Sequence, residues 1–358
     1  MEAIMDDLIQ AWSERVRQAA ASGGQLRIRG GGSKDFYGRE PVGELLETGA
    51  CRGIVNYEPS ELVVTVRAGT PLVELEAELA GQGQMLAFEP PRFAAGATVG
   101  GCIAAGLAGP RRAAVGGVRD FVLGARLIDG RGDVLRFGGE VMKNVAGYDV
   151  SRALAGSLGT LGLIVELSLK VLPRPVAEAT LRFEAGEADA LHRLNAWGGQ
   201  PLPISASAWR SGGLYLRLSG ASAAVEAALT RLGGEGLDEE QADALWRGLR
   251  DHTDPYFAAC TPLWRLSLPS DALALELEGE QLVEWGGAQR WLRSELSAAD
   301  IRRRVEALGG HATLFRHGDR QGPRFHPLPG AMLALQRNLK NAFDPAGVFN
   351  PGRLYEGL

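Results

Sequence analysis

An α+β fold is expected for this chain of 358 residues, with a glycine-rich N-terminal unit and a smaller unit of antiparallel sheet and helices. Three features predict it. The strand-like Leu26-Arg27-Ile28-Arg29 runs straight into Gly30-Gly31-Gly32-Ser33-Lys34. Two more glycine-rich segments follow, around Gly100-Gly101 and over residues 156–162. Pro173 and Pro175 then close a long apolar stretch, and shorter strands and helices alternate beyond them.

The first turn carries the most weight. Glycines let consecutive backbone N–H groups close on an anion where a Cβ would block positive φ or strike the ligand. Arg29 and Lys34 add positive charge on either side, so the pattern suggests a pyrophosphate cradle. A P-loop requires a Gly-Lys pair, whereas here Ser33 precedes Lys34. A Rossmann turn requires a helix at its last glycine, yet Gly38 and Pro41 follow closely. On this segment alone, a plain surface turn stays open as an alternative.

The second segment leads from Glu89-Pro90-Pro91 to Ala97-Thr98-Val99-Gly100-Gly101 and a run of small residues. Thr98 is expected to cap a helix, with its small residues against either a flat ligand or a neighbouring element. Two such clamps suit a large, elongated, multiply charged cofactor. Between them, residues 62–66 form a β-branched strand. Residues 70–81 form a helix with Thr70 as N-cap, Pro71 at the first position and Leu72, Leu75 and Leu79 on one face. Residues 121–128 and 133–137 are strands joined by Asp129-Gly130-Arg131-Gly132, a hairpin signal. The third glycine segment feeds a strand over 163–172. Residues 5–21 read as an amphipathic helix with Leu8, Ile9, Trp12, Val16 and Ala19 on its apolar face.

Taken in order, these segments resemble the FAD-binding domain of the vanillyl-alcohol oxidase/p-cresol methylhydroxylase (PCMH) superfamily. The matching stretches are residues 29–34, Val66-Arg67-Ala68-Gly69-Thr70-Pro71-Leu72, residues 97–101, Gly117-Val118-Arg119-Asp120-Phe121-Val122-Leu123-Gly124 and residues 156–162. Residues 138–149, Leu172-Pro173-Arg174-Pro175, Gly109-Pro110-Arg111-Arg112, residues 263–271 and the tail 343–353 are similar to its glycolate oxidase branch, in particular to the short flavin subunits.

The resemblance implies FAD, with its diphosphate on the first two loops. Noncovalent attachment is expected, because Ser33-Lys34 stands where covalently flavinylated relatives offer a histidine. The implied cofactor-binding residues are Arg29, Gly30, Gly31, Gly32, Ser33, Lys34, Pro90, Thr98, Gly100, Gly101, Ala104 and Gly106. Further along they are Arg119, Asp120, Gly156, Ser157, Gly159, Gly162, Ile164 and Asn350. The units the resemblance implies are a two-subdomain PCMH-type FAD-binding domain at 1–174, a smaller α+β cap at 175–341 and a C-terminal segment at 342–358 that returns Asn350 to the flavin's polar edge.

The implied function is support of glycolate oxidation to glyoxylate. The implied assembly has a larger FAD-binding subunit and an iron–sulfur subunit that receives the electrons. The alternative is a self-sufficient FAD-dependent 2-hydroxy-acid dehydrogenase. A third reading, the FAD reductase of peptidoglycan precursors that shares this fold, fits poorly with residues 264–271 and 343–353.

Composition agrees without choosing. The net charge of −5 argues against nucleic-acid binding. No apolar stretch reaches membrane-span length, and a signal peptide's apolar core is missing from the first residues. Cys51, Cys102 and Cys260 are too scattered for a cluster, so an iron–sulfur centre would need another chain. A cytoplasmic setting is expected, or a peripheral one at the inner face of the membrane through the assembly.

Oxidising a 2-hydroxy acid calls for a cation to hold the carboxylate and a base for the hydroxyl proton. Arg265 and His311 are the candidates. Each also has a plain reading, as an ion-pair partner within the cap and as a hydrogen-bonded histidine at a strand start. His192, His252 and His326 sit in no motif and read as surface or structural. Larger flavin subunits of the branch carry a His-x-Gly-Asp-Gly-Asn-type metal segment. Here His317-Gly318-Asp319 continues with Arg320 and Gln321, so no metal site is expected. Strands at 179–183, 204–209 and 214–218 and helices at 221–232 and 238–250 predict a small antiparallel cap sheet with helices on one side. Trp285 and Trp291 read as buried core or as cap surface facing another subunit.

Overall fold

The computed structural model describes residues 2–139 and 149–358. The centre of the glycolate-oxidase-like segment 138–149, with Lys143, therefore lies outside the described residues.

Helix Glu2–Ser22 buries Ile9, Trp12, Val16 and Ala19, as its periodicity predicts. Strand Leu26–Arg29 pairs in parallel with Glu44–Glu47. A five-stranded antiparallel sheet follows, in the order Ile54–Glu58, Val63–Arg67, Leu163–Lys170, Val122–Ile128, Val134–Gly138. Its hairpin is set by Asp129, whose Oδ1 accepts the N–H groups of Arg131 and Asp133, both at 2.9 Å. Helix Leu72–Gly81 packs Leu72, Leu75 and Leu79 into the same core.

Thr70 does not cap that helix. Pro71 holds the N-cap position, while the Thr70 hydroxyl donates to the Arg67 carbonyl (2.7 Å) and accepts from the Gly53 N–H (2.9 Å). Closing the preceding turn uses the side chain that the sequence pattern assigned to the helix.

The second sheet has eight antiparallel strands, in the order Glu235–Gly236, Ala177–Glu184, Gly213–Gly220, Ile204–Arg210, Glu280–Glu284, Gln289–Arg293, Leu263–Ser267, His311–Arg316. It is wider than the small sheet expected. Helices Glu187–Gly198 and Ser222–Leu232 cover one face, with Ala190, Leu194, Val225 and Ala228 against Leu214, Leu216 and Leu218. Helix Glu239–Asp251 lies on the other face, where Leu245, Trp246 and Leu249 meet Ala206, Ala208 and Trp291. The one-sided cap expected from sequence is thereby corrected. Its strands are apolar on both faces, and each face needs a cover. The second face also packs Tyr37, Ala105, Leu107 and Leu158, so one core is shared between the two sheets' units.

The chain returns to the first unit through helix Gly330–Phe343, whose Leu339 and Phe343 pack on the first sheet's core. Lys340 Nζ is buried there and donates to the Thr160 carbonyl (2.7 Å), the Phe349 carbonyl (2.9 Å) and Asp344 Oδ2 (2.6 Å). Asp344 accepts the N–H groups of Val348 (2.9 Å) and Phe349 (2.8 Å). Replacing Lys340 by Met would strand a buried carboxylate and two carbonyls. Lys340→Met is expected to lose roughly 3–5 kcal/mol in urea denaturation, and a loss below about 1 kcal/mol, no more than a surface ion pair gives, would show that this knot is not needed.

Candidate functional site

The turn after Leu26–Arg29 lies directly on the second glycine segment. A Cβ on Gly31 would land on the Gly96 carbonyl, and one on Gly30 would strike Thr98 Oγ1. These glycines are demanded by loop-on-loop contact, with any ligand using the surface that remains. None of the backbone N–H groups from Gly30 to Lys34 donates to an acceptor among the described residues. Helix Val99–Ala105 differs, because its first donors are engaged within the protein. Val99 donates to the Thr70 carbonyl (2.9 Å), Gly100 to the Ala68 carbonyl (2.7 Å) and Gly101 to Thr98 Oγ1 (3.3 Å). Thr98 is thus the N-cap that was expected. Of these two segments, the first turn is the one whose donors are free.

Two adjoining clefts open beside this turn, sharing Ile28, Gly30, Gly101, Ala104, Leu158 and Asn350. Arg29, Gly31, Gly32, Ser33, Lys34 and Thr98 line the first; Gly100, Gly159, Gly162 and Ile164 line the second. Asp35 partly neutralises the entrance, since it pairs with Arg27 (2.7 Å) and Arg29 (3.4 Å). Lys34 points inward, its Nζ 5.4 Å from the Phe93 ring centroid and 3.3 Å from Ser33 Oγ. Burial pulls its pKa down, and the charges of Cys102 and Asp251 offset part of that.

Asn350 reaches the cleft but is committed to the protein. Its Oδ1 accepts the Ile28 N–H (2.9 Å) and its Nδ2 donates to the Leu158 carbonyl (2.6 Å), which locks the C-terminal return beside the first strand. Arg119 and Asp120 lie away from both cavities. Arg119 is exposed, and Asp120 Oδ2 caps the Gly117 N–H at 2.8 Å, so that segment builds a turn. Gly106, Gly156, Ser157 and Pro90 line neither cavity. Gly106 ends its helix at φ +65° with its Cα face against Gly156, Ser157 Oγ accepts the Gly159 N–H (3.3 Å), and Pro90 is buried.

Arg265 stands on the cap-sheet face that meets the first unit. Its Nε donates to Gln289 Oε1 (2.7 Å), and its guanidinium lies 5.3 Å from the Trp285 ring centroid. His311 shares that face, two register positions away, but is exposed at the edge strand and lines no cavity with Arg265. Asp319 accepts the N–H groups of Gln321 (2.8 Å) and Gly322 (3.0 Å), closing a turn, and no metal-binding cluster occurs among the described residues. Trp285 and Trp291 are both buried, and Trp285 Nε1 donates across the units to the Gly109 carbonyl at 3.0 Å.

Sequence reasoning missed the residues behind Arg265. Glu284 is buried and accepts from Gln289 Nε2 (3.0 Å) and Trp291 Nε1 (2.6 Å). Burial pushes its carboxyl up to about 7, against the pull of those two donors and of Arg265. Of the two readings for His252, the ring is structural and not at the surface, for it stacks on Phe257 at 3.8 Å. No local motif marks either residue; only sheet register and the end of a helix bring them together.

A family model described as an FAD binding domain matches residues 9–138, which take in the first turn and the second glycine segment. The solved structure of an alkyldihydroxyacetonephosphate synthase matches with a TM-score of 0.65 at 14% identity, over 95% of this chain and 74% of that one, a likeness of fold. That FAD-binding model, together with a relative of full length, defines an FAD-linked oxidoreductase subunit. Glycolate oxidase subunit GlcE of Escherichia coli (strain K12) is 50% identical over 98% of this chain and 99% of its own length. The chain belongs to the GlcE family of glycolate oxidase subunits. More distantly, glycolate oxidase subunit GlcD of Bacillus subtilis (strain 168) is 33% identical over 36% of this chain and 27% of its own length. A D-lactate dehydrogenase of Archaeoglobus fulgidus is 26% identical over 92% of this chain and 86% of its own.

Five unengaged amides beside an open cleft suit the diphosphate of FAD. A Cβ on Gly101 would touch only Thr98 Oγ1, so a longer side chain there would enter the cleft. Gly101→Glu is expected to abolish FAD content while the exposed Glu239→Lys retains it; equal flavin absorbance in the two purified variants would show that the cleft is misassigned.

Glu284 yields a pH prediction. The fold holds its carboxyl protonated between the ordinary value of 4.5 and about 7, whereas the unfolded chain ionises it. Stability is therefore lost as pH rises through that window and levels off above it. Glu284→Gln lacks this loss and should gain on the wild type from pH 5 to pH 8, by on the order of 3 kcal/mol. A pH-independent difference in urea midpoints would contradict the raised pKa.

Proposed function

We propose that this subunit carries noncovalent FAD within a glycolate-oxidising assembly and passes its electrons to an iron–sulfur subunit rather than completing the reaction alone. The observation that carries the reading is the row of free amides from Gly30 to Lys34, set in a cleft walled by Thr98, Gly101, Ala104 and Leu158. When bound there, FAD supplies hydride acceptance and stepwise release of electrons. The first turn and Lys34 would hold the diphosphate, and Ile28, Ala104 and Ile164 would give apolar walls. The proposed units are a cofactor unit of residues 1–174, a cap of 175–341 and a returning segment of 342–358, with helix Gly330–Phe343 leading the chain back.

Noncovalent attachment is supported by the thiol nearest the clamps. Cys102 is buried and pushed up to about 12 by desolvation, with only partial relief from Lys34, so it is a poor nucleophile. Electron exit through a partner follows from three separated cysteines, since a cluster requires several thiolates together. The larger FAD-binding subunit and the iron–sulfur subunit are the proposed partners, with glycolate as substrate of the whole. No helix among the described residues is long and apolar enough to cross a membrane, and a cytoplasmic or peripheral inner-face location is proposed. A second reading, in which this subunit oxidises the hydroxy acid itself, is favoured by the seat of Arg265 on the shared face.

One preparation tests these points. Acid precipitation of the FAD-loaded protein should leave yellow cofactor in the supernatant. Mixed anaerobically with excess glycolate, the lone subunit should bleach little, and bleaching should appear when the partners are added. Flavin retained on the denatured chain would overturn noncovalent binding, and rapid, complete bleaching by the lone subunit would select the second reading.

A further inference from the structure

The cap sheet is finished differently at its two edges. At one, strand His311–Arg316 is covered by the chain that follows it. Leu314 N–H donates to the Arg324 carbonyl (2.8 Å), and Ala312 N–H donates to His326 Nδ1 (3.3 Å). At the other, strand Ala177–Glu184 is covered over only part of its length. The two-residue strand Glu235–Gly236 pairs with Leu181 and Arg182, and Leu237 N–H reaches the Thr180 carbonyl at 2.9 Å. Alternate residues of an antiparallel strand turn their N–H and C=O groups to the same edge. The backbone of Glu178, two residues before Thr180, therefore faces outward, and no strand pairs with it on that side among the described residues.

This bare edge opens onto a groove with about 870 Å³ of free space, within the ordinary range of ligand sites, about 300–1,000 Å³. Residues 174–180 line it in an unbroken run. Met85, Leu237 and Trp246 add apolar surface, and Glu89 and Arg92 come from the loop that also walls, through Pro91, a small inner cavity at the seam.

Proteins ordinarily block a free edge with lysine, proline or an inward charge, because it pairs readily with another chain. Here Ala177 and Ala179 pack on the cap core, and the Glu178 carboxylate is drawn off to Arg111 (2.7 Å) and Ser219 (2.6 Å). Val176, at the start of the edge, is 84% exposed. The charges around the groove are equally uneven. Arg174, just before the strand, and Glu239, two residues beyond Leu237, have no ion-pair partner among the described residues. The other charged side chains lining the groove are paired.

We propose that this groove docks an extended segment of a partner subunit, which adds as a short strand along residues 176–180. An acidic side chain of that segment meets Arg174, and a basic one meets Glu239. Main-chain hydrogen bonds supply the affinity, while the two unpaired charges set the direction of the added strand. That the partner belongs to a glycolate-oxidising assembly rests on the function proposed above.

Hydrogen–deuterium exchange tests the site, on the FAD-loaded chain alone and co-purified with the larger FAD-binding subunit and the iron–sulfur subunit. Amides of residues 176–180 are expected to exchange at least tenfold more slowly in the complex, a comparison that needs no variant to fold. Val176→Pro, which removes an outward donor, and Arg174→Glu should each weaken capture of the two partners at least tenfold at unchanged FAD content. Arg174→Lys should retain it, and Glu239→Lys should weaken it while keeping FAD. A complex in which these amides exchange as fast as in the lone chain would overturn the groove and leave the assembly standing. Failure of any complex to form would overturn both. Protection that grows with the concentration of the lone chain would make a second copy the occupant and overturn the partner assignment. Undiminished capture by Val176→Pro and Arg174→Glu would overturn the proposal as well.

Discussion

Contact between the first glycine turn and residues 96–98 is the constraint on which the cleft depends. Gly30 and Gly31 have no room for a Cβ because the second segment's backbone and Thr98 occupy that space. The turn can pack so closely only with glycine, and the packing leaves its N–H groups facing outward. The opposite side is fixed by the C-terminal return. Phe349 bridges to Leu26, Asn350 holds Ile28 and Leu158, and the buried Lys340–Asp344 pair braces the segment behind them. A cradle made of bare backbone is only as rigid as the elements pressed against it, and three distant parts of the chain supply that pressure.

The cap is registered on this base by buried charge. Glu89 accepts from Arg111 (3.3 Å) within its own unit and from Arg217 (2.7 Å) on the cap, and Glu178 of the cap receives Arg111 at 2.7 Å. Arg217 also lies 5.0 Å from the Trp246 ring centroid. Two buried arginines sharing two carboxylates satisfy one another, while removal of any member would strand the rest. Such a network adds little net stability, but it penalises every other docking angle. Glu89 sits at φ +49° just before Pro90-Pro91, so the same residue that latches the cap also fixes the loop forming one wall of the inner cavity.

Much of the fold was legible where a local pattern and a local cause coincide. Helix Glu2–Ser22, the hairpin at Asp129, the Thr98 cap and the Asp238-capped helix Glu239–Asp251 were of this kind. Thr70 was misread because a threonine before proline has two jobs on offer, and closing the turn won. The width of the cap sheet was hidden because Glu280–Glu284 and Gln289–Arg293 are short and separated by Trp285-Gly286-Gly287. His252 and Glu284 could not be found at all from sequence. One takes its meaning from a left-handed helix end, the other from register with Trp291's strand, and neither lies in the composition around it.

The distribution of charge then explains how an acidic chain can receive an anionic cofactor. Its formal net charge is −5, yet the seam between the units is electropositive. Arg27 and Arg29, at the outer mouth, are paired with Asp35. Deeper in, Lys34 lies over Phe93, and Arg316 lies 4.3 Å from Phe36 and 4.8 Å from the Phe93 ring centroid. Neither has a carboxylate partner among the described residues, and burial brings Arg316 down to about 10. Stacking on aromatic faces stabilises a cation without cancelling its charge. Cations without a carboxylate partner thus line the seam, where partial burial lets their field act with little screening. The diphosphate of FAD would meet this positive potential at Lys34.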